Sequence, residues 1–160
     1  MYLKSVSGKI LFESQSYILK DVLSEAVKEN IDLSGLNLRR ANLNNIVLER
    51  AKICGACLWG ADLKDAELLG CDLSQVDFRL VDLTGASVAN SSLTQSDLRG
   101  ARIQGLNVTG ADLSHCFFSD PDFFDLDLYA ASNLNQAVFT KHGEEDYLVE
   151  DLMFSKVLAS

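Results

Sequence analysis

The chain has 160 residues, 48% of them hydrophobic, and a formal net charge of −9 at pH 7. That size and apolar content fit a single folded domain. No stretch approaches the ~20 apolar residues of a membrane span, and no basic segment followed by an apolar run opens the chain. A cytoplasmic protein without a signal peptide or membrane contact is expected.

Residues 1–30 precede any repeat. Lys9–Glu13 has the composition of a short strand, and Ser16 is placed to cap a helix over Tyr17–Glu29. Leu19, Val22, Leu23 and Ala26 fall on one face of that helix, and Asn30 tolerates the left-handed conformation that often ends one. This strand and helix are expected to form an N-terminal cap.

From Ile31 the chain reads in fives. Twenty consecutive blocks run from Ile31-Asp32-Leu33-Ser34-Gly35 to Leu126-Asp127-Leu128-Tyr129-Ala130, and every central residue is apolar, from Leu33 through Phe78, Phe118 and Phe123 to Leu128. A period of five suits neither a helix nor a flat strand. The residue two before each centre is mostly small, as in Ala41, Ala61, Cys71, Ala86 and Cys116, and the one between them is usually polar. Three residues reading in, out, in make a minimal strand, with side chains on alternate faces. The next two are turn formers such as Ser34-Gly35 and Thr84-Gly85, with glycine where a positive φ is needed. Strand and corner in alternation wind the backbone into a solenoid whose coils stack at ~4.8 Å. Periodicity leaves open whether a coil has three sides or four.

Ala41-Asn42-Leu43, Ala61-Asp62-Leu63 and Ala111-Asp112-Leu113 match the Ala-(Asp/Asn)-Leu-X-X signature of the pentapeptide repeat proteins, which the chain resembles over about two thirds of its length. The resemblance implies an all-β solenoid, a right-handed quadrilateral parallel β-helix with four pentapeptides per coil. Residues 31–130 would make five coils, roughly 24 Å of rod. Ile31, Leu36, Ile46, Val76, Val81, Leu106 and Leu126 are large where Ala is usual and should swell the interior locally.

The repeat slips by one residue at Ala131, so a bulge or short loop is expected near 129–133, and it resumes with centres at Leu134 and Phe139. The solenoid is expected over 31–141. Residues 142–160 read as a C-terminal helix that caps the coil or pairs two copies, with Tyr147, Leu148, Leu152, Met153, Phe154 and Val157 as candidate dimer residues. Gyrase-protecting members of the family pair through their C-terminal ends, so a homodimer is a partner state that the resemblance brings forward.

Charge is uneven along the chain. Residues 1–30 balance, 31–102 carry nine acids against eight bases, and 103–160 carry ten acids against Lys141 and Lys156. The C-terminal half should repel nucleic acid and attract basic partners, so no direct nucleic-acid binding is expected.

No constellation for catalysis stands out. Cys54-Gly55-Ala56-Cys57 spells CxxC, but the two residues flank a corner and lack a helix start or two further zinc ligands. Cys71 and Cys116 sit in the small interior column, and His115 and His142 have no patterned partner. No catalytic residue, cofactor or metal is assigned. The aromatics Trp59, Phe117, Phe124 and Tyr129 fall outside the interior columns. A candidate partner face is drawn from Phe117, Asp120, Asp122, Phe124, Asp125, Asp127 and Tyr129. The expected function is a non-enzymatic protein–protein interaction module, a rigid rod that docks a macromolecular partner. The alternative, suggested by the resemblance, is a DNA mimic that inhibits or protects DNA gyrase, with outward carboxylates standing in for phosphates.

Overall fold

The computed structural model describes residues 1–119 and 126–140, and the backbone of 147–148. Its organising feature is a set of parallel β-bridges between residues twenty apart. Four ladders result: Asp32–Lys52–Asp72–Ser92–Asp112, Asn37–Cys57–Asp77–Asp97–Phe117, Asn42–Asp62–Asp82–Arg102, and Val47–Glu67–Ser87–Asn107. Twenty residues are four pentapeptides, so each coil has four sides and each side stacks on its own kind. We number the sides one to four in that order.

Most corners are made the same way. The N–H of the residue opening a block donates to the carbonyl of the preceding centre, as from Leu36 to Leu33 at 3.0 Å and from Ala61 to Leu58 at 2.9 Å. The second corner residue has positive φ throughout 35–115, which is the geometry of a type II turn. Glycine occupies many of these positions, but Arg40, Asn45, Arg50, Asp65, Gln75, Leu80, Asn90, Gln95 and His115 adopt it too. Between corners, the centre's N–H donates to the next coil, as from Leu43 to Asp62 at 2.7 Å, and the outward residue's N–H donates to the previous coil, as from Asp62 to Ala41 at 2.9 Å. The backbone of one coil is thereby satisfied by its two neighbours.

The central column fills the interior. Leu33 through Phe118 are buried at every described centre, as are Leu128 and Phe139, while Leu134 is half-buried. The larger residues of the adjacent column, Leu36, Ile46, Val76, Val81, Leu106 and Leu126, are buried as well. Phe118 and Phe139 stack face to face in successive coils, with ring centroids 4.7 Å apart. Where serine replaces alanine, its hydroxyl enters the corner of the previous coil. Ser96 accepts from Val76 N–H at 3.0 Å and donates to Leu73 C=O at 2.7 Å, and Ser91 bridges Cys71 and Leu68 likewise. Two buried hydroxyls are thus fully used.

The N-terminal cap is a hairpin and a helix, where a single strand was expected. Strand β1 (Tyr2–Lys4) pairs antiparallel with β2 (Ile10–Glu13), and helix α1 spans Leu19–Lys28. The helix starts two residues later than the sequence suggests. Ser16 spends its backbone N–H on the Ser14 hydroxyl and its own hydroxyl on Ile18 N–H, which holds Tyr17 and Ile18 in an extended turn outside the helix. The C-terminus closes with Asn30 at φ 54°, Asn30 N–H on Val27 C=O and Ile31 N–H on Ala26 C=O, a Schellman arrangement. Val22, Leu23 and Ala26 are buried, and Lys20 pins α1 to the coil through Asn44 C=O at 2.6 Å and Asn44 Oδ1 at 2.7 Å.

Side two extends further than the bridges alone indicate. At one end the hairpin joins it, with Ser5 bridging Leu36 antiparallel and Asn37 N–H donating to Lys4 C=O. At the other it continues as β3 (Asp97–Arg99), β4 (Phe117–Ser119), β5 (Val138–Thr140) and β6 (Tyr147–Leu148), the last antiparallel. The slip appears as a change of bridge spacing. Asp112 pairs with Asn133 and Phe117 with Val138, both 21 apart. A 3₁₀ turn over Leu128–Ala130 takes up the extra residue, because Gly110 N–H reaches Ala130 C=O, one position beyond the usual acceptor.

Strand β6 corrects the expected C-terminal helix at Tyr147 and Leu148. The outer edge of β5 offers unpaired backbone groups, and an aromatic and an aliphatic residue pair with it readily, Tyr147 against Phe139 and Leu148 against Val138. Leu152, Met153, Phe154 and Val157 lie outside the described residues.

Candidate protein-interaction face

Where the outward residue of a block is Asp or Asn, it has a structural duty. Its side-chain oxygen accepts the backbone N–H two residues on, as in Asp32 to Ser34 at 2.9 Å, Asp62 to Lys64 at 3.1 Å, Asp112 to Ser114 at 2.9 Å and Asn107 to Thr109 at 3.0 Å. These are Asx turns, which explains why Asp and Asn alternate freely there. The Ser34 hydrogen bonds hold the Asp32 carboxyl below the usual range. Partial burial pushes Asp112 upward, but hydrogen bonds from Ser114 and Asn133 outweigh it and leave the group lowered.

Side two differs from the other three. Its described blocks, 36–40, 56–60, 76–80, 96–100 and 116–119, hold four arginines and two aspartates; on each other side the acids outnumber the bases among described residues. Arg39, Trp59, Arg79 and Arg99 occupy the same position in four successive coils, with Arg40 one residue beyond. The Arg40 guanidinium lies 4.8 Å over the indole of Trp59. Arg39 Nε donates to Cys57 Sγ at 3.0 Å, and Cys57 approaches Asp77 Oδ2 at 3.6 Å. Arg79 forks onto Asp77 at 2.8 and 2.9 Å, Arg99 forks onto Asp97 at 2.9 and 2.6 Å, and Arg79 also reaches Asp97 at 3.7 Å. The Arg99 guanidinium then sits 5.8 Å from the Phe117 ring. The Arg79 side chain lowers the Asp77 carboxyl, while for Asp97 burial raises it and the Arg99 bonds more than compensate. Arg39, Arg40, Trp59 and Arg79 line an open depression of about 560 Å³.

The residues chosen from sequence are not gathered in one place. Phe117 is 44% exposed on side two. Asp127 and Tyr129 belong to side four, across the coil, because residues 126–130 stack on 106–110. Tyr129 is exposed, and its N–H is held by Asp127 Oδ1 at 3.2 Å. Asp120, Asp122, Phe124 and Asp125 lie outside the described residues.

The arginine column is hidden in the linear sequence because its members are twenty residues apart and its charge is diluted in any linear count. The spacing 39, 59, 79, 99 was the available signal. Cys57 is buried beneath Arg39 although it stands in an outward column. Burial pushes the Cys71 thiol up to about 11 and Cys116 to about 12, and each donates to a carbonyl, Leu48 and Leu93, at 2.9 Å. Among the described residues no group of three or more His, Cys, Asp or Glu could hold a metal ion.

The family model for pentapeptide repeats matches residues 31–68, 58–79 and 82–120, more than half of the chain, in eight copies. The chain belongs to the pentapeptide repeat family. Solved pentapeptide repeat proteins resemble it. One from the Arabidopsis thaliana thylakoid lumen is 38% identical over 53% of this chain and 66% of its own, with a TM-score of 0.41. One from the cyanobacterium Nostoc is 25% identical over 71% of this chain and 93% of its own, with a TM-score of 0.44. QnrB1, a plasmid-mediated fluoroquinolone resistance protein, is 16% identical over 78% of this chain and 63% of its own, with a TM-score of 0.34. No protein of curated function matches significantly. Pentapeptide repeat proteins form right-handed β-helices and are generally structural or interaction proteins.

Proposed function

We propose that this pentapeptide repeat protein is a non-enzymatic protein-interaction module, a rigid right-handed β-helical rod that docks a macromolecular partner. The observation that carries the reading is side two. An exposed Phe117, a half-buried Trp59 and a column of arginines stand at fixed spacing on a backbone that its own coils satisfy. Tryptophan and arginine are the residues that most often anchor interfaces, and a pre-formed ladder orders few side chains on binding.

The test is site-specific photocrosslinking from one outward position on each of the four sides, in extract of the source organism. A module gives a discrete protein adduct from one side, lost when excess unlabelled protein competes. Equal labelling from all four sides, or none from any, would refute the reading.

The acidity of residues 103–160 favours a second reading, a DNA mimic acting on gyrase. Against it, Asp77, Asp82 and Asp97 are each paired with a base, Asp82 with Lys64 and Arg102 at 3.3 Å, which interrupts any phosphate-like run. Salt-sensitive inhibition of gyrase supercoiling would favour the mimic, and no effect at high excess would remove it.

A further inference from the structure

We propose that the Arg39–Arg40–Trp59–Arg79 depression on side two is a docking site for an acidic, extended peptide segment carrying an aromatic residue between carboxylates. The inference rests on the interaction-module reading and names the partner chemistry, which is the reverse of the basic partner that the chain's overall acidity suggests.

Three features specify the occupant. The first is charge: among the described residues side two alone has bases in excess and neither Arg39 nor Arg40 makes an ion pair, whereas Arg79 is already shared between two aspartates. Two guanidinium groups are therefore available at the N-terminal end of the column. The second is shape. Trp59 lies between the Arg39 and Arg79 coils, with Arg40 stacked on its ring, so an apolar edge is framed by cations above and below. Arg39 and Arg79 are two coils apart, roughly 10 Å at the β-spacing. An extended peptide rises ~3.3 Å per residue and turns alternate side chains to one face, so carboxylates four residues apart, ~13 Å, share a face with the side chain midway between them, and the long arginine side chains take up the ~3 Å excess. The third is the interruption by Asp77 and Asp97. A nucleic acid offers a continuous line of phosphates and would meet these two carboxylates. Discrete carboxylates on a peptide can avoid them.

Trp59 is the only tryptophan in the chain, so its emission reports directly on the site. The experiment titrates the full-length protein with the synthetic peptide acetyl-Asp-Glu-Phe-Asp-Glu-amide and, in parallel, with its Asn/Gln counterpart and a single-stranded oligonucleotide. The expected result is a saturable change of Trp59 emission with the acidic peptide alone, weakened by salt. Binding should fall about tenfold in Arg39→Gln/Arg40→Gln and stay unchanged in Arg50→Gln, which lies on side four. Circular dichroism confirms that both variants fold, and a fluorescein label on the peptide gives a second readout by anisotropy. Equal binding of the neutral peptide, tighter binding of the oligonucleotide, or no binding by either readout at millimolar acidic peptide overturns the proposal. If crosslinking instead yields a partner on another side, the module reading stands and this site falls. If the peptide binds but no protein adduct forms on any side, the site stands and the module reading falls.

Discussion

Replacing Phe139 by alanine should open the last described coil and leave the first ones shut. Phe139 is fully buried and stacks on Phe118 at 4.7 Å, so it holds its coil to the one before through the core. A buried Phe→Ala exchange costs about 4 kcal/mol. In a solenoid that cost falls on one coil and its neighbour interface, because each coil touches only adjacent ones. The amides that report it are Leu113, bonded to Asn133, His115, bonded to Asn135, and Val138, bonded to Cys116. Their hydrogen exchange should accelerate by about 10³-fold, the factor that 4 kcal/mol represents. Leu43 and Leu48, bonded to Asp62 and Glu67, should exchange as in the parent protein. Hydrogen-exchange mass spectrometry resolves the two regions. Equal acceleration in both would show that the rod unfolds as one unit and would refute the nearest-neighbour argument.

Three further outcomes are expected. Gly105→Ala should lower stability by about 1 kcal/mol, since its Cβ meets only the Gly85 backbone at 3.9 Å but must sit at φ +67°. Gly85→Ala should cost more, because the Asp65 carboxylate must also move aside, and identical urea midpoints for the two would contradict this. Asp32, Asp77, Asp82, Asp97 and Asp112 all have lowered folded pKa values, so the stability they contribute is complete above the unfolded value of about 3.9 and is lost as pH falls through the lower folded values. Thermal melts should therefore hold steady from neutral pH to about 5 and then decline below 4; a transition temperature constant down to pH 2 would exclude this linkage. Cys71 and Cys116, buried and raised to about 11 and 12, should resist a disulfide reagent at pH 8 until urea unfolds the chain, whereas half-buried Cys54 reacts first. Rapid reaction of all four thiols in the native protein would contradict their placement.

The coil was legible because its determinants are local. An apolar centre, a small residue two before it and a turn former two after it recur within five residues, and each feature has the same consequence wherever it appears. The shift at 129–133 was legible too, as a break in phase that the 3₁₀ turn at Leu128–Ala130 absorbs. Competing contacts decided the rest. Ser16 has the composition of an N-cap but lies two residues before the cap position, because its hydrogen bonds with Ser14 and Ile18 hold Tyr17 and Ile18 outside the helix. Tyr147 and Leu148 suited a helix by their neighbours, yet a free strand edge took them.

The sequence by itself determined the period, the interior columns and the corners, since sterics and burial act within one or two blocks. Four sides, and which residues share one, came from the tertiary structure. Arg39, Trp59, Arg79 and Arg99 become neighbours only when twenty residues close a coil, and Phe117 and Tyr129 part company for the same reason. A face of this rod is a relation between residues a whole coil apart, fixed by the hydrogen bonds that stack one coil on the next.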